Sequence, residues 1–251
     1  TSHPLAAQAG LEILQRGGSA ADAAIAANAM LGVVEPMSCG IGGDLFAIVW
    51  DADKGELTGL NASGRSGSLM TRDELIGRGH ESMPATGAET VTVPGALSGW
   101  AALLDRYGTM SLAELIEPSI HLAEAGYRLS AFQQASIARY LDDVRANHPL
   151  ASIVLASGRD PVPVGSLMRW PGMAVTLERI RDAGADEFYR GAIAAEIEAD
   201  MVRRGGYVRR IDLAQVRGRR LEPLRGSYRG LEVLGYPVPG AGAAVIESLH
   251  I

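Results

Sequence analysis

Cysteine, lysine and aromatic side chains are all scarce in this sequence, and each shortage excludes something. Among 251 residues the single cysteine is Cys39, so no internal disulfide and no cysteine-cluster metal site can form. Phe, Trp and Tyr make up only 5% of the chain, so a core must be built from Ala, Leu, Ile and Val. Of 23 basic residues only Lys54 is a lysine, a bias that reads as genome composition and not as mechanism. No run of about 18 or more apolar residues occurs, so no transmembrane helix is expected. The longest candidate, Ala20 to Val34, is interrupted by Asp22 and Asn28. The chain opens on Thr1-Ser2-His3-Pro4, without Met or an apolar signal region, which leaves cytoplasm and periplasm both open. Despite 31 glycines there is no collagen period and no Gly/Ser tract. With no internal repeat and no clear linker, residues 1–251 are expected to form a single domain.

What is present points to a folded chain. Hydrophobic residues reach 47% and charged residues 21%, and mean hydropathy is +0.08. That composition supplies a sizeable core and argues against disorder. The net charge of −6 argues against nucleic acid or an anionic membrane as a partner. Nine arginines between Arg203 and Arg229 face only Asp212 and Glu222. With Tyr207 and Tyr228 the only aromatics among them, this stretch reads as a solvated face or one pairing with acidic protein surface, in preference to an anion or nucleic-acid patch.

The periodicity predicts helices from Pro4 to Gly17 and from Ala20 to Val34, the second apolar nearly all round and opened by a Ser19/Asp22 capping box. A glycine-rich loop, Gly40-Ile41-Gly42-Gly43, follows. Leu45 to Trp50 reads as a buried strand and Glu56 to Ala62 as its hairpin partner. Ser63 to Ser68 is a polar loop, Thr71 with Glu74 a cap, and Thr90 to Val93 a short β-branched run. Further helices are predicted at 97–107, 111–125 (with Pro118 kinking or breaking it), 130–146, 171–183 and 192–204. Strands are expected at 221–227 and 231–236, and a last helix begins at Ala243.

Common chemical motifs fail on context. The glycine loop lies between a helix and a strand, whereas a dinucleotide cradle needs strand, loop, helix. Its glycines read instead as a tight turn with close backbone approach. His3, His80, His121, His148 and His250 show no zinc-ligand spacing, and no Gly-x-Ser-x-Gly elbow occurs. Cys39 fits a small packed residue better than a nucleophile. No metal and no cofactor are expected.

The ordered motifs nevertheless resemble a known family. Ser2-His3-Pro4-Leu5-Ala6, Gly17-Gly18-Ser19-Ala20-Ala21-Asp22, Val33-Val34-Glu35-Pro36, Gly40-Ile41-Gly42-Gly43-Asp44, Val93-Pro94-Gly95, Asp186-Glu187-Phe188-Tyr189-Arg190-Gly191 and Tyr228-Arg229-Gly230 are similar in order and spacing to the large subunit of the γ-glutamyltransferases. The resemblance implies an α/β N-terminal-nucleophile hydrolase fold, an αββα sandwich that is incomplete in this chain. It implies a precursor that cuts itself into two subunits. The small subunit then opens on a nucleophilic Thr whose own amine serves as base, and this chain matches only the earlier part of the large subunit. No catalytic residue is therefore expected here, Thr1 included. The expected partners are a small-molecule amide and the small subunit of the same precursor.

One departure bears on the substrate. Family members carry an Asp-x-Arg-Glu segment whose Arg grips the glutamyl α-carboxylate, a bidentate task suited to guanidinium. The aligned segment here is Asn61-Ala62-Ser63-Gly64-Arg65. Ser63 holds the arginine's place and Arg65 lies two residues on, where an extended backbone brings it to the same face. Ser63 and Arg65 are the substrate-binding candidates that the resemblance supplies. The activity implied is cleavage or transfer of a γ-glutamyl-type acyl group. The Ser-Gly-Arg version also resembles the acylases and amidohydrolases of the family, which act on glutaryl, cephalosporin-type or small amides. A non-catalytic scaffold is the competing class.

Overall fold

A computed structural model describes residues 1–251 apart from Asn147 and the side chains at 148 and 149. Helix α1 (Pro4–Gln15) starts at a proline, where the missing N–H costs nothing, and His3 Nδ1 accepts the Leu5 N–H. Helix α2 (Ala20–Val34) opens on the expected capping box: Ser19 Oγ accepts the Asp22 N–H and the Asp22 carboxylate accepts the Ser19 N–H. Strands β1 (Leu45–Asp51) and β2 (Glu56–Ala62) form the predicted hairpin, in register from Leu45 opposite Ala62 to Asp51 opposite Glu56. Then come α3 (Arg72–Gly77), α4 (Ala96–Tyr107) and α5 (Leu112–Ala125). Short elements follow: β3 (Tyr127–Arg128), α6 (Ala131–Arg139), α7 (Leu141–Ala146), α8 (His148–Val154), β4 (Leu155–Ala156), β5 (Asp160–Pro161) and β6 (Leu167–Met168). The chain continues through α9 (Pro171–Ala183), α10 (Ala185–Tyr189), α11 (Ala192–Arg204), α12 (Arg210–Gln215), β7 (Arg219–Leu221), β8 (Leu224–Tyr228), β9 (Leu231–Gly235) and α13 (Gly242–Leu249).

The main sheet has the order β1-β2-β7, all antiparallel, with Asn61 opposite Arg219 and Gly59 opposite Leu221. On its inner face Leu45, Ala47, Val49, Leu60 and Ala62 meet the buried helical layer, with α4 lying directly against both strands. Two buried polar side chains lock that layer. Asp22 is fully buried and also accepts the Thr109 N–H at 3.0 Å and the Thr109 hydroxyl at 2.7 Å. Burial alone would raise its carboxyl, but the hydrogen bonds from Thr109 and Ser19 outweigh that and hold it below the ordinary value. The buried Tyr189 hydroxyl donates to Pro94 O at 3.0 Å and accepts the Ser98 N–H at 2.9 Å. Burial pushes this phenol up to about 12.

The outer face of the sheet is open. Phe46, Ile48 and Trp50 alternate along β1 with 45%, 42% and 60% exposure, and β1 has no neighbour on its second edge among the described residues. Leu45 to Trp50 is thus not the buried strand expected; only its inward residues are covered. The chain touches the outer face through the segment after β9. There the Tyr236 ring meets Phe46 edge-on at 5.3 Å and its hydroxyl donates to Leu60 O.

Other expectations shift locally. Pro118 neither ends nor splits α5, because buried Leu115, Ile116, Ser119, Ile120 and Ala123 hold the helix against α2 and α9 on both sides of it. The 130–146 helix divides at the exposed Tyr140 into α6 and α7. The 221–227 strand divides at Pro223, which has no N–H to give a ladder, into β7 and β8 on different sheets. Thr90 to Val93 contributes only a single bridge, Thr92 to Ser66. Among the described residues no helix is long and apolar enough to cross a membrane.

Candidate substrate-binding site

The loop after β2 is fixed almost entirely through its backbone. Asn61 Oδ1 accepts the Ser63 N–H at 2.8 Å, and Asp44 Oδ1 accepts the Gly64 N–H at 3.0 Å. Val93 N–H donates to Arg65 O at 2.8 Å. Asp212 closes the far end, one carboxylate oxygen accepting the Ser68 N–H and the other the Arg209 N–H. Two glycines make this proximity possible. A Cβ on Gly64 would lie 1.5 Å from Val93 O, and one on Gly95 would lie 2.0 Å from Ala62 O. The Val93-Pro94-Gly95 motif therefore clamps the Ser63–Arg65 loop, and Tyr189 in turn holds Pro94.

The earlier glycine loop makes the expected tight turn, the Gly43 N–H donating to Gly40 O at 3.1 Å, but the expected close approach is missing at two of its glycines. Cβ atoms on Gly40 and Gly42 would meet nothing within 4 Å, and neither residue has positive φ. Close approach inside this chain is not their reason. Gly43 does contribute: its carbonyl accepts the Gly95 and Ala96 N–H groups at 2.8 Å.

Ser63 and Arg65 line one cleft of about 480 Å³, together with Asn61, Asp212, Arg217, Arg219 and Pro239. The bonds within Asn61–Ser63 turn the backbone out of the strand, yet both candidates still reach the same space. The Arg65 side chain is exposed and makes no hydrogen bond or ion pair among the described residues. Arg217 gives its guanidinium to Ala214 O and Val216 O. Both Asp212 oxygens are occupied by backbone N–H groups. The cleft thus presents surplus positive charge at its mouth, a setting suited to a carboxylate.

Cys39, His3, His80, His121 and His250 do not line this cleft. Burial and the Glu35 charge both push the Cys39 thiol up, opposite to what a thiolate nucleophile needs. His80 pairs with Glu89, and His250 Nε2 lies 2.7 Å from Ser227 O. The His148 side chain lies outside the described residues. Most of the 203–229 arginines are consumed within the chain. Arg203 and Arg204 pair with Asp200, Arg220 with Glu56 and Arg225 with Glu232.

A family model described as Gamma-glutamyltranspeptidase matches residues 6–251. The chain belongs to the gamma-glutamyltranspeptidase family. It is 35% identical to the Acylase ACY 1 proenzyme of Pseudomonas sp. (strain SE83), over 100% of this chain and 46% of that protein. It superimposes on the gamma-glutamyltranspeptidase of Helicobacter pylori with a TM-score of 0.91 at 33% identity, covering 96% of this chain and 70% of that one. The cephalosporin acylase of Bacillus halodurans gives 0.88 at 41% identity, covering 94% and 45%. The α/β N-terminal-nucleophile hydrolase fold expected from the motifs is the fold observed. The chain spans less than half the length of the acylase proenzyme. The motifs single out Ser63 and Arg65, which the structure brings into one cleft, but not Arg219, which lines that cleft too. The missing signal was strand register: only the β2–β7 pairing puts Arg219 opposite Asn61.

Proposed function

We propose that residues 1–251 are one domain, the N-terminal part of the large subunit of a gamma-glutamyltranspeptidase-like enzyme. The complete protein cleaves or transfers an acyl group from an amide, using an N-terminal Thr that lies outside this chain. The small subunit of the same precursor covers the outer face of the β1–β2 sheet and brings that Thr to the cleft. Arg65 holds a carboxylate of the acyl group, and Ser63 lines the same pocket. The observation that carries this reading is the Arg65 guanidinium, without a partner among the described residues and exposed in a cleft whose backbone is clamped from three sides. A planar guanidinium fixes a carboxylate in both position and orientation, which sets the amide carbon at a constant distance from the nucleophile.

A second reading is an acylase acting on glutaryl or other non-γ-glutamyl amides. The displacement of the arginine from position 63 to 65 favours it, because the carboxylate is then gripped from a different point of the loop. Expression of the complete gene tests both. Mass spectrometry should find a second chain beginning with Thr. Assays on γ-glutamyl and glutaryl anilides should then show which acyl group is turned over. Arg65→Ala should raise KM for the favoured substrate about tenfold or more. An unchanged KM removes Arg65 from the site, and a single unprocessed species favours a non-catalytic scaffold.

A further inference from the structure

The arginine-rich stretch leaves one side chain unaccounted for. Of the nine arginines from 203 to 229, four form ion pairs inside the chain. Arg209, Arg210 and Arg217 donate to backbone carbonyls, and Arg229 lies over the Tyr228 ring. Arg219 does none of these among the described residues. It is exposed, and it lines the same cleft as Arg65. The strand geometry explains where it points. Arg220, opposite Leu60, belongs to the inner parity of the sheet and reaches Glu56. Arg219, opposite Asn61, has the outer parity and emerges beside the Asn61–Ser63 turn. The carboxylate that also lines the cleft, Asp212, has both oxygens engaged by backbone N–H groups.

From this juxtaposition we infer that Arg219 is a second anion-binding side chain of the Arg65 cleft, and a determinant of acyl-group specificity. The acyl group held there presents a carboxylate to two guanidiniums of the same cleft, one from the loop after β2 and one from β7. An amide of a dicarboxylic acid has this chemistry, since its free carboxylate is the only charge on the acyl side. Two forks on one carboxylate leave little freedom to rotate, so an acyl chain of different length loses one of them. The inference rests on the reading of the cleft as an acyl-carboxylate site.

Glutarate titrated calorimetrically into the complete, processed protein tests it without requiring turnover. Arg219→Gln should weaken glutarate binding about tenfold or more, as should Arg65→Gln. Arg219→Lys keeps the charge without the fork and should fall between wild type and Arg219→Gln. With a glutaryl anilide, Arg219→Gln should raise KM and leave kcat within about twofold, while an uncharged butanoyl anilide shows no change. Glutarate binding that is weakened by Arg65→Gln but not by Arg219→Gln overturns the inference and leaves the site reading standing. That outcome, joined to a lower Tm for Arg219→Gln, assigns Arg219 to an ion pair with the rest of the precursor. Absence of glutarate binding to the wild type overturns both. Weakening by Arg219→Gln alone upholds Arg219 and removes Arg65.

Discussion

The two faces of the β1–β2 hairpin are made by alternate residues of the same strands, and they differ in almost every physical respect. On the inner face, Leu45, Ala47, Leu60 and Ala62 close against α4, and the one polar side chain buried among them on β2, Thr58, has no hydrogen-bond partner for its hydroxyl among the described residues. On the outer face Phe46, Ile48 and Trp50 are exposed, and Arg65 and Arg219 have no partner among the described residues. The motif residues sort by face. Asp22, Gly95 and Tyr189 belong to the closed side and act on the fold, whereas Ser63 and Arg65 open outward and are free to meet something else. A motif residue is therefore a candidate for chemistry only after its local duties have been counted.

The closed side breaks most sharply at its clamp. Gly64→Ala or Gly95→Ala drives a Cβ into a backbone carbonyl that no rotamer change can move aside. Each should destabilise the protein by about 3 kcal/mol or more, read as a shift of the urea midpoint. Gly40→Ala and Gly42→Ala, whose Cβ atoms meet open space, serve as the contrast and should leave the midpoint almost unmoved.

Asp22→Ala comes next. It removes the acceptor of the part-buried Ser19 and Thr109 N–H groups and of the Thr109 hydroxyl at once, for a loss of about 2 kcal/mol. The wild-type contribution also has a pH signature. The folded carboxyl is held below its unfolded value near 3.9. Its stabilisation is therefore complete above that value and disappears as pH falls through the folded pKa. Asp22→Asn should flatten the acid limb of a stability-versus-pH curve; a limb of unchanged slope assigns it to other carboxylates.

Tyr189→Phe removes one hydroxyl that serves two backbone groups, Pro94 O and the Ser98 N–H. About 1–2 kcal/mol should be lost. Because Pro94 lies in the clamp over Arg65 O, amide exchange at Val93 should accelerate more than exchange in α9.

Much of the closed side was legible in the sequence because its signals are local. The Ser19/Asp22 capping box and the Pro4 start of α1 each act within one helical turn, so residue types at fixed spacing suffice. That Ser63 and Arg65 share one cleft was legible through motif alignment. The rest depended on long-range pairing. Arg219 looked like one arginine among nine until the register with β2 gave it a face. Trp50 looked buried because an apolar run does not reveal whether a sheet is covered on one face or two. Gly64 and Gly95 carry no sequence mark that separates them from Gly40 and Gly42; only the opposing carbonyls do.

The smallest effect expected is also the one that probes the open side most directly. In the 251-residue chain Ile48 and Trp50 stand on the outer face without helical cover. Replacing either by Ser should change stability by no more than about 0.5 kcal/mol. In the complete protein the same substitutions should cost about 2 kcal/mol or more, because a covered Trp or Ile loses its burial when truncated. The difference between the two measurements, and not either alone, reports what covers the sheet. If Trp50→Ser is equally mild in both, the outer face remains solvent-exposed in the whole molecule, and the proposed cover of β1 by a small subunit is wrong.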